Sequence, residues 1–290
     1  MRRLVVVGAG AIGGGLGGLL AAAGLDVALV QRGEHGRVIR ETGLRVASVL
    51  GVHVWFPECV DSLDVDGLSA DDHVLVATRL PDARAVYRAL EGTAATVVVG
   101  QNGVHGIQWA EASCPRVVAT MVWVPSEHLE PGHVRIYGDP VPGRVDVGPG
   151  GEALRDALRA AGFQSDVRDP ILPWVHAKWL TNLAGLAFRA GVPERATDLM
   201  EEGRAVLDAA GVPHVLDELL AEVGGIRLCR IDGRERVAGG SSVHGRLRDR
   251  PAEQPWLNGE LLRIARRAGV PTPVHDALAD GLPPSAGLAG

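Results

Sequence analysis

At 290 residues the chain is long enough for two domains, and 46% apolar residues supply a core for each. A formal charge of −6, with arginines interspersed among acids, excludes a nucleic-acid surface. The three cysteines, Cys59, Cys114 and Cys229, are odd in number and far apart, which excludes a disulfide framework or metal-ligand spacing and points to reduced thiols in the cytoplasm. The Leu4–Val7 run is too short for a signal-peptide core, and no apolar run is long enough to span a bilayer.

The chain opens on a buried-strand run, Leu4–Val7, that passes directly into Gly8-Ala9-Gly10-Ala11-Ile12-Gly13. A small-residue helix follows to Ala23, Gly24 stops it, and a second apolar run starts at Val27. This strand–turn–helix–strand context makes GxGxxG a dinucleotide-binding signature. Gly8 allows the tight turn, Gly10 lets a pyrophosphate approach the backbone, and Gly13 lets the helix pack against the strand. The N–H groups at the helix start, from Ala11 and Ile12 onward, then face the anion. The second strand ends in Gln31-Arg32 instead of the acid that holds a ribose hydroxyl in NAD sites. A guanidinium there suits the 2′-phosphate of NADPH. Glu34, close by, is the competing signal for NAD.

Further strands are predicted at Leu44–Ser48, Val52–Phe56, His73–Ala77, Thr96–Val99 and Val117–Val124, with helices near Arg37–Gly43 and Pro81–Leu90. Alternating strands and helices predict a doubly wound, mostly parallel sheet of the Rossmann type. Gly8, Arg32, Arg79 and Asn102 all fall at carboxyl ends of predicted strands, where such sheets bind ligands. Gly132–Gly138 and Gly143–Gly148 read as short hairpin strands, followed by a helix at Glu152–Ala161 and a strand near Gln164–Val167.

Asp169-Pro170 marks a break, so residues 1–168 form the first domain and 169–282 an all-α second domain. Its predicted helices are Pro170–Arg189, Pro193–Ala210, Pro213–Leu228, Ala252–Ala268 and Pro273–Ala279, with stops at Gly191, Gly211 and Gly269. Arg230–Gly240 reads as a mobile loop, and residues 283–290 as a disordered tail.

Lys178 and Asn182 lie four residues apart, on one face of a helix. Lys178 is the only lysine in the chain. Unlike arginine, a lysine can give up its proton, so Lys178 is a candidate general acid for a carbonyl receiving hydride. Taken alone, Ser241-Ser242 reads as a helix cap and Glu253 as a favourable charge near a helix start.

Together these pieces resemble the ketopantoate reductase family. The resemblance rests on GxGxxG, Arg32, Thr78-Arg79 (where the family commonly has lysine) and Gln101-Asn102-Gly103-Val104. It continues through Lys178 with Asn182, Ser241-Ser242, Glu253 five residues before Asn258-Gly259, and Gly269-Val270-Pro271-Thr272-Pro273. It implies NADPH-dependent reduction of a small 2-keto acid, ketopantoate, to a 2-hydroxy acid. The same chemistry on a different ketone or imine is the alternative, and a non-catalytic dinucleotide sensor a more distant one. By position, Lys178 would protonate the carbonyl oxygen, and Asn102 would help place the nicotinamide and Lys178. Asn182, Ser242 or Ser241, and Glu253 would bind substrate, the serine its carboxylate and Glu253 its distal hydroxyl. Gly8 to Gly13, Arg32 and Arg79 would hold the cofactor. The family also implies a homodimer; the cysteine spacing and the lack of a long apolar run already predict no metal and no membrane partner. Three positions depart from the pattern: Leu186 replaces a second asparagine, the Ser242–Glu253 interval is one residue short, and His244-Gly245-Arg246 is atypical.

Overall fold

The structure, a computed structural model, describes residues 1–238 and 253–279. It divides into two compact units. The first comprises Met1–Gln101, His105–Ile171 and Ala221–Arg236. The second comprises Asn102–Val104, Leu172–Leu220 and the described residues from Val237 onward.

The first unit is built on short strands, mostly β-branched runs buried on both faces as parallel strands require, with the edge strand β5 burying only Cys59. Five of them are β1 (Arg3–Val7), β2 (Val27–Val30), β5 (Glu58–Val60), β6 (Asp72–Val76) and β7 (Thr96–Val99). With β8 (Val117–Trp123) and β12 (Arg144–Val147) they form a seven-stranded sheet in the order β12-β8-β7-β6-β1-β2-β5. Every pairing is parallel except β12 with β8. The order reverses beside β1, so the gap between the carboxyl ends of β1 and β6 is the topological switch point.

A second sheet has four strands in the order β4-β3-β10-β9. They are β3 (Leu44–Ser48), β4 (Gly51–Trp55), β9 (Ser126–Glu130) and β10 (His133–Ile136). Helix α1 (Ala11–Ala22) packs between the two sheets, and its run of glycines explains how. A Cβ on Gly13 would lie 2.9 Å from Val6, on the large sheet, and one on Gly18 would lie 2.4 Å from Val46, on the small one. Missing side chains on two faces let the helix backbone approach both sheets.

Around the large sheet lie α2 (Gly33–Thr42), α3 (Leu80–Ala89), α4 (His105–Ser113) and α5 (Glu152–Ala160). A buried ionic cluster secures the β12 edge. Asp146, fully buried, accepts from Arg144 Nε at 3.0 Å, Arg168 Nε at 2.9 Å and the Asp166 backbone N–H at 2.9 Å. Glu222 joins the cluster through Arg144, at 2.9 Å, and Arg168.

The second unit is helical: α6 (Leu172–Leu183), α7 (Gly185–Ala190), α8 (Ala196–Ala209), α10 (Gln254–Ala268) and α11 (Pro273–Ala279). Helix α9 (Leu216–Val223) contributes its first five residues here. Gly203 on α8 sits where a Cβ would meet Leu183 at 2.4 Å and Leu180 at 3.1 Å, so α6 and α8 close tightly. Gly191 and Gly269 end α7 and α10 in left-handed geometry, as their predicted stop role requires.

Several expectations change. The two predicted hairpin strands do not pair with each other: β10 lies between β3 and β9, and β12 joins β8. The single helix expected over Pro170–Arg189 is interrupted at Ala184. The helix expected over Pro213–Leu228 stops at Val223, before Gly224-Gly225. Beyond it β13 (Arg227–Leu228) pairs antiparallel with β11 (Gly138–Asp139). The segment expected to be a mobile loop is anchored at its start. The Cys229 N–H donates to the Tyr137 carbonyl at 2.9 Å, and Asp232 pairs with Arg45 at 2.9 Å. The 283–290 tail lies outside the described residues. No helix among the described residues is long and apolar enough to cross a membrane.

Candidate functional site

In the first unit, the loop from β1 into α1 carries the GxGxxG residues at the switch point. Gly8 has φ +95°, and a Cβ there would lie 2.9 Å from the Thr78 backbone nitrogen beyond β6. Gly13 has no room for a side chain, since its Cβ would lie 2.0 Å from the Gly8 carbonyl oxygen. Gly10 is the opposite case: nothing lies within 4 Å of a Cβ built there. The loop is therefore closed around Gly8 and Gly13 and open over Gly10, where α1 begins with no side-chain cap. Open space beside uncapped helical N–H groups suits a pyrophosphate.

Two side chains from the next βα segment secure Ala9. Gln31 Oε1 accepts the Ala9 N–H at 2.8 Å, and Gln31 Nε2 donates to the Arg32 carbonyl at 2.9 Å. His35 Nε2 meets the Ala9 carbonyl at 2.7 Å. Sequence reasoning noted Gln31 only as a neutral residue and did not single out His35. Both stabilise the loop through side-chain bonds that no motif spacing reveals.

Arg32 is exposed and immediately precedes α2, whose first turn holds the exposed Glu34. Arg79 is half-buried and immediately precedes α3. Both follow carboxyl ends of sheet strands, β2 and β6, within the first unit. Gln101 braces this end of the sheet. Its Nε2 donates to the Val76 carbonyl at 2.8 Å and the Thr78 carbonyl at 3.0 Å, and its Oε1 accepts from the buried Tyr87 hydroxyl. Burial pushes the Tyr87 hydroxyl far above the ordinary tyrosine pKa, so it acts as a donor throughout the working range.

In the second unit, Lys178, Asn182 and Asn102 form one hydrogen-bonded chain. Lys178 Nζ donates to Asn182 Oδ1 at 2.7 Å, and Asn182 Nδ2 donates to Asn102 Oδ1 at 2.9 Å. An ammonium has no acceptor, so Asn182 must face it with oxygen and turn its NH₂ to Asn102. The polarity of the chain follows from Lys178 alone. Thr181 adds a second oxygen 3.4 Å from Nζ, its own hydroxyl donating to the Lys178 carbonyl at 2.7 Å. All three chain members are half-buried. Neighbouring Trp179 is buried and donates to the Leu257 carbonyl at 3.2 Å, which ties α6 to α10.

Glu253 is the residue preceding α10, and its carbonyl accepts the Trp256 N–H at 3.0 Å and the Leu257 N–H at 3.1 Å. Asn258 is fully buried and ties α10 to the Leu183 carbonyl at 3.1 Å. Leu186 belongs to a buried cluster with Ala187 and Leu199, so this departure from the family pattern fills core space. Ser241 and Ser242 lie outside the described residues. Among the described residues no group of three or more potential ligands could hold a metal ion.

A Rossmann-type sheet with an open glycine loop, joined to a helical unit that carries a lysine–asparagine chain, defines an oxidoreductase that uses a nicotinamide dinucleotide. The chain matches the family model for ketopantoate reductase PanE/ApbA over residues 4–152 and the model for its C-terminal part over residues 180–282. It is 30% identical to 2-dehydropantoate 2-reductase of Mycobacterium tuberculosis over 290 residues, 95% of each chain. A crystal structure of the PanE/ApbA family ketopantoate reductase from Ralstonia eutropha superposes with a TM-score of 0.78 at 27% identity, covering 96% of each chain. D-mandelate dehydrogenase, solved with NADH and anilino(oxo)acetate, shares the fold with a TM-score of 0.75 at 21% identity and 96% coverage of each chain. The protein therefore belongs to the ketopantoate reductase family, whose members are oxidoreductases acting on CH–OH groups.

Proposed function

We propose that this protein reduces ketopantoate (2-dehydropantoate) to pantoate, the 2-hydroxy acid used in pantothenate and coenzyme A biosynthesis, with NADPH as reductant. The observation that carries the proposal is the oriented chain from Lys178 through Asn182 to Asn102. The cofactor, when bound, would supply the hydride that the carbonyl carbon receives. Lys178 supplies the proton, so that the C=O becomes CH–OH and the lysine is left neutral until solvent reprotonates it. Asn182 and Thr181 direct the ammonium through their oxygens, which keeps its N–H vectors in a narrow range. Asn102 accepts from Asn182 through Oδ1, so its own NH₂ would be the group that donates to the nicotinamide amide. Glu253 binds the distal hydroxyl of the substrate, and Ser242 or Ser241 its carboxylate.

Arg32 supports NADPH over NADH. The guanidinium forms paired, charged hydrogen bonds to a 2′-phosphate, whereas a ribose hydroxyl needs a carboxylate acceptor. Arg79 follows β6, on the other side of β1 from β2, and would add a second positive charge for the cofactor phosphates.

The test is the initial rate of NADPH oxidation with ketopantoate and with a panel of other 2-keto acids and imines. The proposal expects the highest kcat/KM for ketopantoate. A higher value for another ketone or imine would keep the fold and cofactor and replace the substrate. No turnover of any of them, with NADPH still bound, would favour a sensor.

A further inference from the structure

The glycine loop is open over Gly10, yet a loop that is merely open does not aim its N–H groups. Ala9, just before Gly10, has both of its backbone polar groups engaged. Its N–H donates to Gln31 Oε1 at 2.8 Å, and its carbonyl meets His35 Nε2 at 2.7 Å. The other ring nitrogen settles which proton His35 carries. The Gly132 backbone N–H, in the turn between β9 and β10, donates to His35 Nδ1 at 2.8 Å. Nδ1 is thus an acceptor, so Nε2 holds the proton and donates to Ala9. His35 is 8% exposed, and its ring packs against His128 of β9 with centroids 3.9 Å apart. Packing therefore limits the ring to one orientation.

The consequence passes through one peptide plane. In a trans peptide the carbonyl of Ala9 and the N–H of Gly10 point in opposite directions. A carbonyl drawn toward His35 sends the Gly10 N–H the other way. Among the described residues no hydrogen bond takes that N–H. We infer that His35 is a positioning residue for the dinucleotide: its Nε2–H holds the Ala9 carbonyl so that the Gly10 N–H is aimed at the pyrophosphate. The inference rests on the dinucleotide reading of this loop but not on the choice between NADPH and NADH, because both carry the pyrophosphate.

Two isosteric variants separate the functions of the ring. The amide of His35→Gln reaches far enough to donate to Ala9 in place of Nε2. The shorter His35→Asn can replace only the Nδ1 acceptor toward Gly132. Dissociation constants for NADPH and NADH, measured by titration of protein fluorescence on purified protein, should stay near wild type for His35→Gln. For His35→Asn both should rise about five- to tenfold, the equivalent of one hydrogen bond, with kcat at saturating cofactor within about twofold of wild type on the same reasoning. Equal weakening by both variants, or none by either, would overturn the assignment and leave His35 a packing residue. The wild-type protein gives a measurement independent of variant folding. ¹⁵N imidazole spectra should show His35 protonated on Nε2 near neutral pH, and protonation on Nδ1 would overturn the inference. A wild-type protein that binds neither dinucleotide would instead refute the cofactor reading itself.

Discussion

Gly10 and Gly13 stand three residues apart in one loop and face opposite surroundings. A Cβ on Gly13 would lie 2.0 Å from the Gly8 carbonyl oxygen, while one on Gly10 would meet nothing within 4 Å. The motif thus spends one glycine on packing and another on access. Gly10→Ala should fold with a melting temperature close to wild type and bind either dinucleotide at least about tenfold more weakly, because the new methyl occupies the approach to the backbone. Gly13→Ala should melt well below wild type, since the obstructing atom is backbone and cannot turn aside. Calorimetry and fluorescence titration of both variants check the pair, and equal melting temperatures would contradict it.

Arg32 should decide cofactor preference. Arg32→Ala is expected to weaken NADPH by at least about tenfold, the scale of a lost charge-assisted pair, and to leave NADH nearly unchanged. Dissociation constants for both cofactors check it, and equal losses would remove Arg32 from the 2′-phosphate site.

Asp146 carries most of the ionic cluster at the β12 edge. It accepts from two arginines and one backbone N–H while fully buried. Asp146→Ala would leave Arg144 buried with its charge less compensated, a change that costs about 3–5 kcal/mol in comparable cases. Urea unfolding should show a correspondingly lower midpoint, and a shift too small to measure would show that Asp166 and Glu222 suffice.

Acid should destabilise the fold before the carboxylates titrate. Burial holds the imidazoles of His73, His176 and His275 below the ordinary histidine pKa, against the opposing pull of nearby acceptors such as Glu202 on His275. Between those lowered values and about 6.5 the unfolded chain binds protons that the folded chain does not. Stability is therefore full above about pH 6.5 and is lost as pH falls through the folded values. The melting temperature should stay level from about pH 7.5 to about pH 6.5 and drop from there to about pH 5.5, and a profile that is flat or rises toward acid below about pH 6.5 would contradict the sign.

The central strands of the large sheet and its glycine loop were legible because those parallel strands are continuous apolar runs and GxGxxG has a fixed local context, whereas the edge strand β5, with one buried residue, carries no such run. The additional glycines of α1, which blur the motif in the sequence, turn out to admit the second sheet, as Gly18 against Val46 illustrates. The pairing of β10 and β12 was not legible, since their partners β3 and β8 are set by tertiary packing. The same holds for β13, whose two residues acquire strand geometry only by pairing with β11. Lys178 and Asn182 were legible through helical spacing. The place of Asn102 at the end of their chain required the fold, because 80 residues separate it from Asn182. Gln31 and His35 carry no motif, and only their bonds to Ala9 identify them.

In the proposed ketopantoate reduction Lys178 delivers the proton. Stopped-flow decay of NADPH absorbance with saturating ketopantoate, for wild type and Lys178→Ala side by side, tests it most directly. Decay should be rapid in wild type and slower by about two to four orders of magnitude in the variant, with NADPH affinity unchanged. Decay at the wild-type rate in Lys178→Ala would contradict it.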